Sequence, residues 1–303
     1  MLDLCTLGTG GTMPIPNRAL SSVYVRCNGR SVLVDCGEGT QVEVQRLGWG
    51  IRCIDAILIS HYHADHCSGL PGMLLALTKS MRTEPVHIYG PVGLHQVVSG
   101  LCVIAPQLSF PLVLHELHGT EESFEMIGLQ ITPLRLDHGM PCLGYRFHLP
   151  HPPRFQPETA RQLGVPVALW KTLQRGEAVV HGGVTIQPEQ VLGAPRRGLT
   201  VLVATDTRPV PAIVEMGQGS DLMILEGMYG AEEKHPLALA NHHMLFREAA
   251  ELARRAGARR LALTHFSTSV EDPLEYLPLA QSVFPACECA ADGMTFTLHF
   301  DRE

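Results

Sequence analysis

The chain has 303 residues, of which 45% are hydrophobic, and its formal net charge is −7. This length and hydrophobic content allow a large buried core and exclude an intrinsically disordered or fibrous chain. No stretch approaches the roughly 18 consecutive apolar residues that cross a membrane, so we expect no membrane-spanning segment. The acidic balance, taken alone, argues against a nucleic-acid-binding protein.

The cysteines predict a protein with reduced thiols. They number nine and no two form a Cys-x-x-Cys pair, which is typical of cytosolic chains whose cysteines pack as small hydrophobic residues. Met1–Cys5 lacks the basic region that opens a signal peptide. We therefore expect a cytoplasmic protein.

Short apolar runs bounded by Gly, Pro, Asn or Asp predict buried strands along much of the chain. The clearest runs are Leu4–Leu7, Ser31–Val34, Ala56–Ser60, Val86–Tyr89, Leu129–Leu136, Val201–Ala204, Met223–Leu225 and Leu261–Thr264. Helices are predicted at Gln41–Leu47, at Leu70–Leu77 and at Phe246–Ala256, the last ending before a glycine. Because the strands are grouped as well as alternating with helices, we expect an α/β protein with two packed sheets and helices outside.

The strand pattern is interrupted between Pro150 and Gly198. This stretch carries six basic and three acidic residues, a net charge of +3 on an otherwise acidic chain. A basic segment of this kind is suited to contact with an anionic polymer, although a solvated insertion would explain it equally well. We predict a single domain, residues 1–303, with an inserted basic arm at residues 150–198.

Four of the predicted strands are followed by a histidine or an aspartate at the C-terminal end. These residues are His61, His138, Asp206 and His265. Loops at strand ends can converge on one cleft, and a rigid scaffold that presents side chains there is a common way to build a metal or catalytic site. The positions therefore predict one shared site.

The sequence HYHADH at residues 61–66 has the spacing of a metal-binding segment. In an extended segment, residues i and i+2 point to the same side, so His61 and His63 can hold one ion. Asp65 and His66 follow a turn and can hold a second ion. The alternative interpretation is a polar surface loop, since the chain contains 16 histidines.

The remaining strand-end residues complete a two-metal arrangement. Asp206 is expected to bridge the ions, His138 to complete the first set and His265 the second. Imidazole and carboxylate ligands predict zinc, two ions per subunit, and are also compatible with manganese. Two ions that share a water are suited to hydrolysing esters, phosphodiesters or amides.

Several longer sequence motifs resemble those of a known family. The cluster SHYHADH at residues 60–66 resembles the metallo-β-lactamase superfamily. The words LGTGGTMP at residues 7–14 and DCGEGTQ at residues 35–41 resemble the ribonuclease Z family within it, the tRNA 3′-processing endoribonucleases. GLPG at residues 69–72 and IYGP at residues 88–91 follow in the order expected for that family. The resemblance implies a four-layered αββα sandwich and a homodimer in which one subunit's arm serves the other's active site.

The resemblance also implies roles for individual residues. Asp35 would orient the 61–66 loop, and Asp65 would orient or deprotonate the attacking water. Glu226 and His243 would assist departure of the leaving 3′-oxygen, with His242 as the rival for the histidine position. Four basic residues of the arm would contact RNA: Arg154, Arg161, Lys171 and Arg175.

One residue and two short segments depart from the family pattern. Thr205 replaces the usual glycine before the bridging aspartate, residues 163–168 lack the arm's Gly-Pro pair, and STSV at residues 267–270 replaces Ser-Ser-Arg-Tyr. The resemblance implies removal of 3′ trailers from tRNA precursors, giving a tRNA 3′-hydroxyl and a trailer 5′-phosphate. The alternatives are a hydrolase of small phosphodiesters, sulfate esters or lactones, and a non-catalytic RNA-binding or metal-storage protein.

Overall fold

A computed structural model describes residues 1–119 and 122–301 of the chain. The chain divides into two compact units. The first contains residues 1–149 and 200–299, and the second contains residues 150–199 with Phe300 and Asp301.

The first unit contains a seven-stranded sheet built largely from the N-terminal half of the chain. Its strands are β1 (Leu2–Gly8), β2 (Ser22–Cys27), β3 (Arg30–Val34), β4 (Ile54–Leu58), β5 (Val86–Pro91), β6 (Leu112–Leu117) and β16 (Met294–Leu298). They lie in the order β16-β1-β2-β3-β4-β5-β6. From β3 to β6 the neighbours are parallel, so the C-terminal ends of these strands share one edge of the sheet.

A second seven-stranded sheet is formed mainly by the C-terminal half of the chain. Its strands are β7 (Phe124–Met126), β8 (Leu129–Asp137), β9 (Pro141–His151), β12 (Arg196–Ala204), β13 (Leu222–Glu226), β14 (Leu261–Thr264) and β15 (Cys287–Cys289). The order is β15-β14-β13-β12-β9-β8-β7, and β12 to β15 are parallel. The C-terminal ends of β12 and β14 therefore lie at the same edge.

The described residues of the first unit include eight α-helices, and most of them pack on a face of one of the sheets. They are α1 (Thr40–Leu47), α2 (Ala64–Cys67), α3 (Leu70–Lys79), α4 (Leu94–Leu101), α7 (Pro211–Met216), α8 (His235–Ala240), α9 (Phe246–Ala256) and α10 (Leu277–Gln281). Ile57 of the first sheet packs with Leu74 of α3, and Leu225 of the second packs with Ala249 of α9. The alternate strand residues, such as Ile224, are also fully buried, because they face the other sheet.

These layers confirm the two packed sheets predicted from the strand pattern and the four-layered αββα sandwich implied by the family resemblance. Helix α9 has the predicted bounds and ends at Gly257, whose left-handed conformation terminates the helix. Strand β4 ends at Leu58, not at Ser60 as predicted. The reason is that the Ser60 amide donates to the Asp35 carboxylate, 2.7 Å away, and leaves the sheet. Among the residues that the structure describes, no helix is long and apolar enough to span a membrane.

The second unit has a small hydrophobic core of its own. It contains α5 (Pro157–Gln162), α6 (Val167–Gln174) and a hairpin of β10 (Val179–His181) and β11 (Val184–Ile186). Buried residues from each element pack together, among them Ala160, Leu173, Val179 and Ile186. The segment that interrupts the strand pattern in the sequence is therefore a folded unit.

Arg82 is a fully buried arginine in the first unit, and its loss is expected to destabilise the fold. Its guanidinium donates to the carbonyl oxygens of Arg52, Glu84 and Pro85 at 2.7–3.0 Å and to Asp55 at 2.8 Å. Arg82→Met leaves these buried acceptors unpaired, so we expect the free energy of unfolding to fall by about 3 kcal/mol in urea titrations. The control Arg52→Met removes an exposed guanidinium and should cost less than about 1 kcal/mol. Equal losses would contradict the role assigned to Arg82.

Candidate active site

The structure brings the four strand-end residues together at one edge of the sandwich. His61 follows β4 of the first sheet, whereas His138, Asp206 and His265 follow strands of the second sheet. All four side chains are at least nine-tenths buried. The site is therefore assembled from both sheets of the first unit.

Three histidines form one group of facing ring nitrogens. His61 Nε2 lies 2.9 Å from His63 Nδ1, and His138 Nε2 lies 3.1 Å from the same His63 nitrogen. His61 and His63 project from the same extended segment, as the i, i+2 spacing predicts. The ligand atoms of the three residues all lie within 4.8 Å of one another.

A second group lies beside the first. His66 Nε2 is 3.1 Å from His265 Nε2, and Asp65 Oδ2 is 3.5 Å from both nitrogens. Asp206 lies between the groups, with Oδ2 at 3.8 Å from His61 Nε2 and Oδ1 at 3.3 Å from His66 Nε2. The seven predicted ligands thus form two sets that share one carboxylate.

The donor atoms fit metal cations. Ligand distances of about 2.1 Å in a tetrahedral site place two imidazole nitrogens about 3.4 Å apart, close to the separations in both groups. Asp206 Oδ1 and His265 Nδ1 are buried and have no hydrogen-bond partner among the described residues. An orphaned carboxylate oxygen among facing imidazole nitrogens is an arrangement that a cation would satisfy.

Three residues of the site have a left-handed backbone conformation. Asp35, Asp206 and His265 have φ angles of 60°, 57° and 57°. Residues other than glycine rarely adopt this conformation, which costs about 1–3 kcal/mol and is concentrated at functional sites. The strain falls on Asp206 itself, so Thr205 at the family's glycine position is compatible with the same turn.

Asp35 fixes the orientation of the 61–66 segment. Its carboxylate accepts hydrogen bonds from the Ser60 amide at 2.7 Å and the Ser60 hydroxyl at 2.9 Å, and lies 2.8 Å from His66 Nδ1. Burial lowers the pKa of His66, but the carboxylates of Asp206 and Asp35 outweigh burial and hold that pKa well above its ordinary value. With Nδ1 held by Asp35, the Nε2 atom of His66 is directed at the site.

Glu226 and His243 form a buried pair beside the two groups. His243 Nδ1 lies 3.0 Å from Glu226 Oε2, and the imidazole ring is 4.8 Å from the ring of His138. Burial lowers the pKa of His243, but the Glu226 carboxylate more than compensates and raises it to about 9. A histidine of this kind is protonated at neutral pH and can donate a proton.

His242 occupies a different position. Its ring pairs with Asp137 at 2.9 Å in an exposed position, while its backbone carbonyl oxygen lies 3.1 Å from His138 Nδ1. The structure therefore places His243, and not His242, against Glu226. The carbonyl of His242 orients the ring of His138.

Comparisons with known proteins identify the family. A sequence profile described as Anti-Pycsar protein Apyc1 matches residues 2–99. Ribonuclease Z of Lachnospira eligens is 46% identical over 303 residues, which cover 100% of both chains. Ribonuclease Z of Lachnoclostridium phytofermentans is 45% identical over 302 residues, which cover 100% of this chain and 99% of the relative. The chain belongs to the ribonuclease Z family.

A solved structure shares the fold. The short form of human tRNase Z (ELAC1) superposes with a TM-score of 0.70 at 25% identity, covering 98% of this chain and 100% of the human chain. As a member of the ribonuclease Z family with a metallo-β-lactamase fold, the protein is a metal-dependent endoribonuclease. The clusters of histidine and aspartate described above are the residues available to hold the metal.

The four predicted RNA-contacting residues lie in the second unit, and all four are exposed. Arg161 pairs with Glu158 on α5 and its guanidinium lies 5.5 Å from the centre of the Trp170 ring. Lys171 is in α6, and Arg175 follows its last residue. A role in RNA binding for these residues remains a prediction.

The loop between β1 and β2 contains site residues that sequence reasoning missed. The Thr12 amide donates to Asp65 Oδ2 at 2.6 Å, across 53 positions of sequence. A Cβ atom at Gly11 would lie 2.6–2.9 Å from three atoms of the His265 ring. The adjacent glycines at positions 10 and 11 are the one signal in the sequence, since paired glycines permit a close backbone approach.

Gly11→Ala is expected to displace His265 and weaken metal binding by about 10- to 100-fold, the range seen when the support of a ligand is altered. The measurement is a competition titration with a chromogenic zinc chelator. Gly100→Ala in α4 is the matched control, because a Cβ there meets no atom within 4 Å, and its metal affinity should equal that of the parent. An unchanged affinity in Gly11→Ala would show that the glycine is not required by His265.

Proposed function

We propose that this protein is a dinuclear zinc phosphodiesterase that removes 3′ trailers from tRNA precursors. It would leave a 3′-hydroxyl on the tRNA and a 5′-phosphate on the trailer. The observation that carries the proposal is the position of the Glu226–His243 pair beside two sets of ligands that share Asp206. A metal store or a binding protein has no use for a protonated histidine at that place.

The two sets of ligands divide the metal-binding work. His61, His63 and His138 would hold one ion, Asp65, His66 and His265 would hold the other, and Asp206 would contact both. Zinc suits imidazole and carboxylate donors, and manganese would also be accepted. When bound, the ions supply an activated water and stabilise negative charge on the phosphoryl oxygens.

The protein's own groups would carry the protons. Asp65 is held by the Thr12 amide and faces His66 and His265, so it is placed to orient the attacking water or accept its proton. Burial raises the pKa of Asp65, but His265 and His66 lower it more strongly, so the carboxylate stays ionised. His243, kept protonated by Glu226, would protonate the departing 3′-oxygen.

The substrate follows from the family and from the second unit. The full-length relatives described above are named ribonuclease Z, and one structural neighbour is a human tRNase Z. The exposed basic residues of the second unit fit contacts with RNA phosphates, on an otherwise acidic chain. We also propose that the protein is a homodimer, as the family resemblance implies. We propose a cytoplasmic location because all nine cysteines lie among the described residues and are free thiols.

The direct test is to incubate the protein with a 3′-extended tRNA precursor and map both product ends, with a chelated sample beside it. One metal-dependent cut after the discriminator nucleotide, with a 3′-hydroxyl on the tRNA, is the expected result. If the precursor stays intact while bis-p-nitrophenyl phosphate is hydrolysed, the substrate is a small ester and the proposal is wrong.

Neutralising the basic residues of the second unit should weaken RNA binding and leave the hydrolytic reaction itself unchanged. For Arg161, Lys171 and Arg175 changed to Gln, we expect KM for the precursor to rise about 10- to 100-fold. The slope of log affinity against log salt should fall by about 2–3, which corresponds to three lost phosphate contacts. Hydrolysis of bis-p-nitrophenyl phosphate should change less than about twofold.

The matched control neutralises three exposed arginines of α9, Arg247, Arg254 and Arg255, which preserves the change in net charge. Its KM and salt slope should stay near those of the parent protein. The same loss in both triple variants would indicate a general effect of net charge and would contradict an RNA-binding arm.

A further inference from the structure

Arg208 connects the loop that carries Asp206 to the segment that carries His243. Its backbone amide donates to the carbonyl of Asp137 at 2.9 Å. Its guanidinium donates to the backbone carbonyl of His243 and, through both terminal nitrogens, to the Glu248 carboxylate. One side chain thus binds the residue proposed as the proton donor and the first turn of α9.

Glu248 completes the connection from the other side. Besides binding Arg208, its Oε2 atom accepts a hydrogen bond from the Leu245 amide at 2.9 Å, which caps the N-terminus of α9. The side chains of Arg208 and Glu248 are 14% and 21% exposed, so solvent only partly screens the pair. The segment between His243 and Glu248 is therefore fixed at both ends by one ion pair.

Glu226 and Arg208 bind the peptide group between His243 and Met244 at its two polar atoms, because Glu226 also accepts a hydrogen bond from the Met244 amide at 3.2 Å. Glu226 holds the ring through Nδ1, whereas the guanidinium of Arg208 holds the carbonyl of the same residue. A planar guanidinium can bind the carboxylate with two donors and the carbonyl at the same time, which a lysine ammonium cannot match in geometry. The two contacts together define where the imidazole lies relative to His138 and His265.

We propose that Arg208 and Glu248 are positioning residues that hold the His243 imidazole where it can protonate the leaving 3′-oxygen. The inference rests on the proposed function, because it assumes that role for His243. Among the residues that the structure describes, the side chains of Arg208 and Glu248 form no hydrogen bond or ion pair with a donor atom of the seven proposed metal ligands. A displacement of about 1 Å in a proton donor can lower the rate by about 100-fold, so the pair acts on catalysis through another side chain.

The dependence on the leaving group tests this role. A ribose 3′-oxygen needs a proton to depart, whereas p-nitrophenolate is a stable anion and leaves without one. For Arg208→Met we expect kcat on a tRNA precursor to fall about 10- to 100-fold with KM within about twofold. The loss on the precursor should exceed the loss on bis-p-nitrophenyl phosphate by at least about tenfold. Arg208→Lys should recover part of the lost kcat on the precursor. The double variant Arg208→Met/Glu248→Gln should have the same kcat as Arg208→Met, since the two residues act as one unit.

Two reference variants separate failure of this inference from failure of the proposed function. His243→Ala should show the same selective loss on the precursor; an equal loss on both substrates would overturn the role of His243 and this inference with it. If His243→Ala is selective and Arg208→Met is not, the inference alone is wrong. Arg254→Met, which breaks an exposed ion pair with Glu251 on the same helix, should match the parent.

Hydrogen exchange gives a readout that does not depend on turnover. The amides of Met244 and Leu245 donate to Glu226 and Glu248. Arg208→Met should speed exchange at these two amides by about tenfold or more while exchange in β13 stays unchanged. Unchanged protection of both amides would overturn the positioning role.

Discussion

Replacing Asp206 by asparagine is expected to remove metal binding and RNA cleavage together. The two carboxylate oxygens lie 3.2–3.8 Å from ring nitrogens of His61, His66, His138 and His265. Asparagine keeps the shape of the side chain but loses the negative charge that both sets of histidines share. We expect cleavage to fall by at least about 10³-fold, more than the 10- to 100-fold typical of residues that only orient a ligand.

The measurement is metal content per chain after gel filtration, together with precursor cleavage on the same sample. Asp137→Asn is the matched control, since Asp137 adjoins His138 in sequence but is half exposed and pairs with His242. The control should retain its metal and cleave within about threefold of the parent. Full metal content and full cleavage in Asp206→Asn would exclude a shared carboxylate.

Replacing His243 by alanine is expected to cost about 10²- to 10⁴-fold on a tRNA precursor, the usual contribution of a general acid. The loss on bis-p-nitrophenyl phosphate should be at least tenfold smaller, because its leaving group needs no proton. Glu226→Gln should act in the same direction, since the carboxylate is what keeps His243 protonated. Single-turnover rates on both substrates provide the comparison.

The neighbouring His242 offers the matched control for this second experiment. Its φ angle of 55° is tolerated by asparagine better than by most residues, so His242→Asn removes the ring with little backbone strain. The backbone carbonyl that orients His138 remains. We expect cleavage rates within about threefold of the parent. A loss equal to that of His243→Ala would contradict the assignment of the proton-donor role to His243 alone.

The sequence predicted the parts of the structure that depend on local pattern. Apolar runs located the strands that precede His138, Asp206 and His265. Strands β12 and β14 are buried on both faces and read as nearly continuous apolar runs, whereas β8 alternates buried apolar with exposed polar residues. The helical stretch at residues 246–256 and the glycine that follows it predicted the bounds of α9. The sequence HYHADH showed which side chains could share an ion, since i, i+2 geometry is a property of the chain itself.

Contacts between distant segments could not be predicted in this way. The Thr12 amide that holds Asp65 comes from 53 residues earlier, and Arg208 meets Glu248 across 40 residues. Strand β9 was also missed, because Gly144 and Pro150 are poor strand residues by themselves. In the fold, a Cβ at Gly144 would lie 3.0 Å from the Val203 carbonyl, so the glycine is required by the neighbouring strand.

The distribution of the ligands along the chain has a consequence for protein synthesis. His66 and His265 face each other at 3.1 Å although 199 positions separate them in sequence. A ribosome must therefore translate most of the message before the second set of proposed ligands exists, and a nascent chain that ends before His265 carries only part of that set. We expect truncated products that end before His265 to be unable to cut RNA.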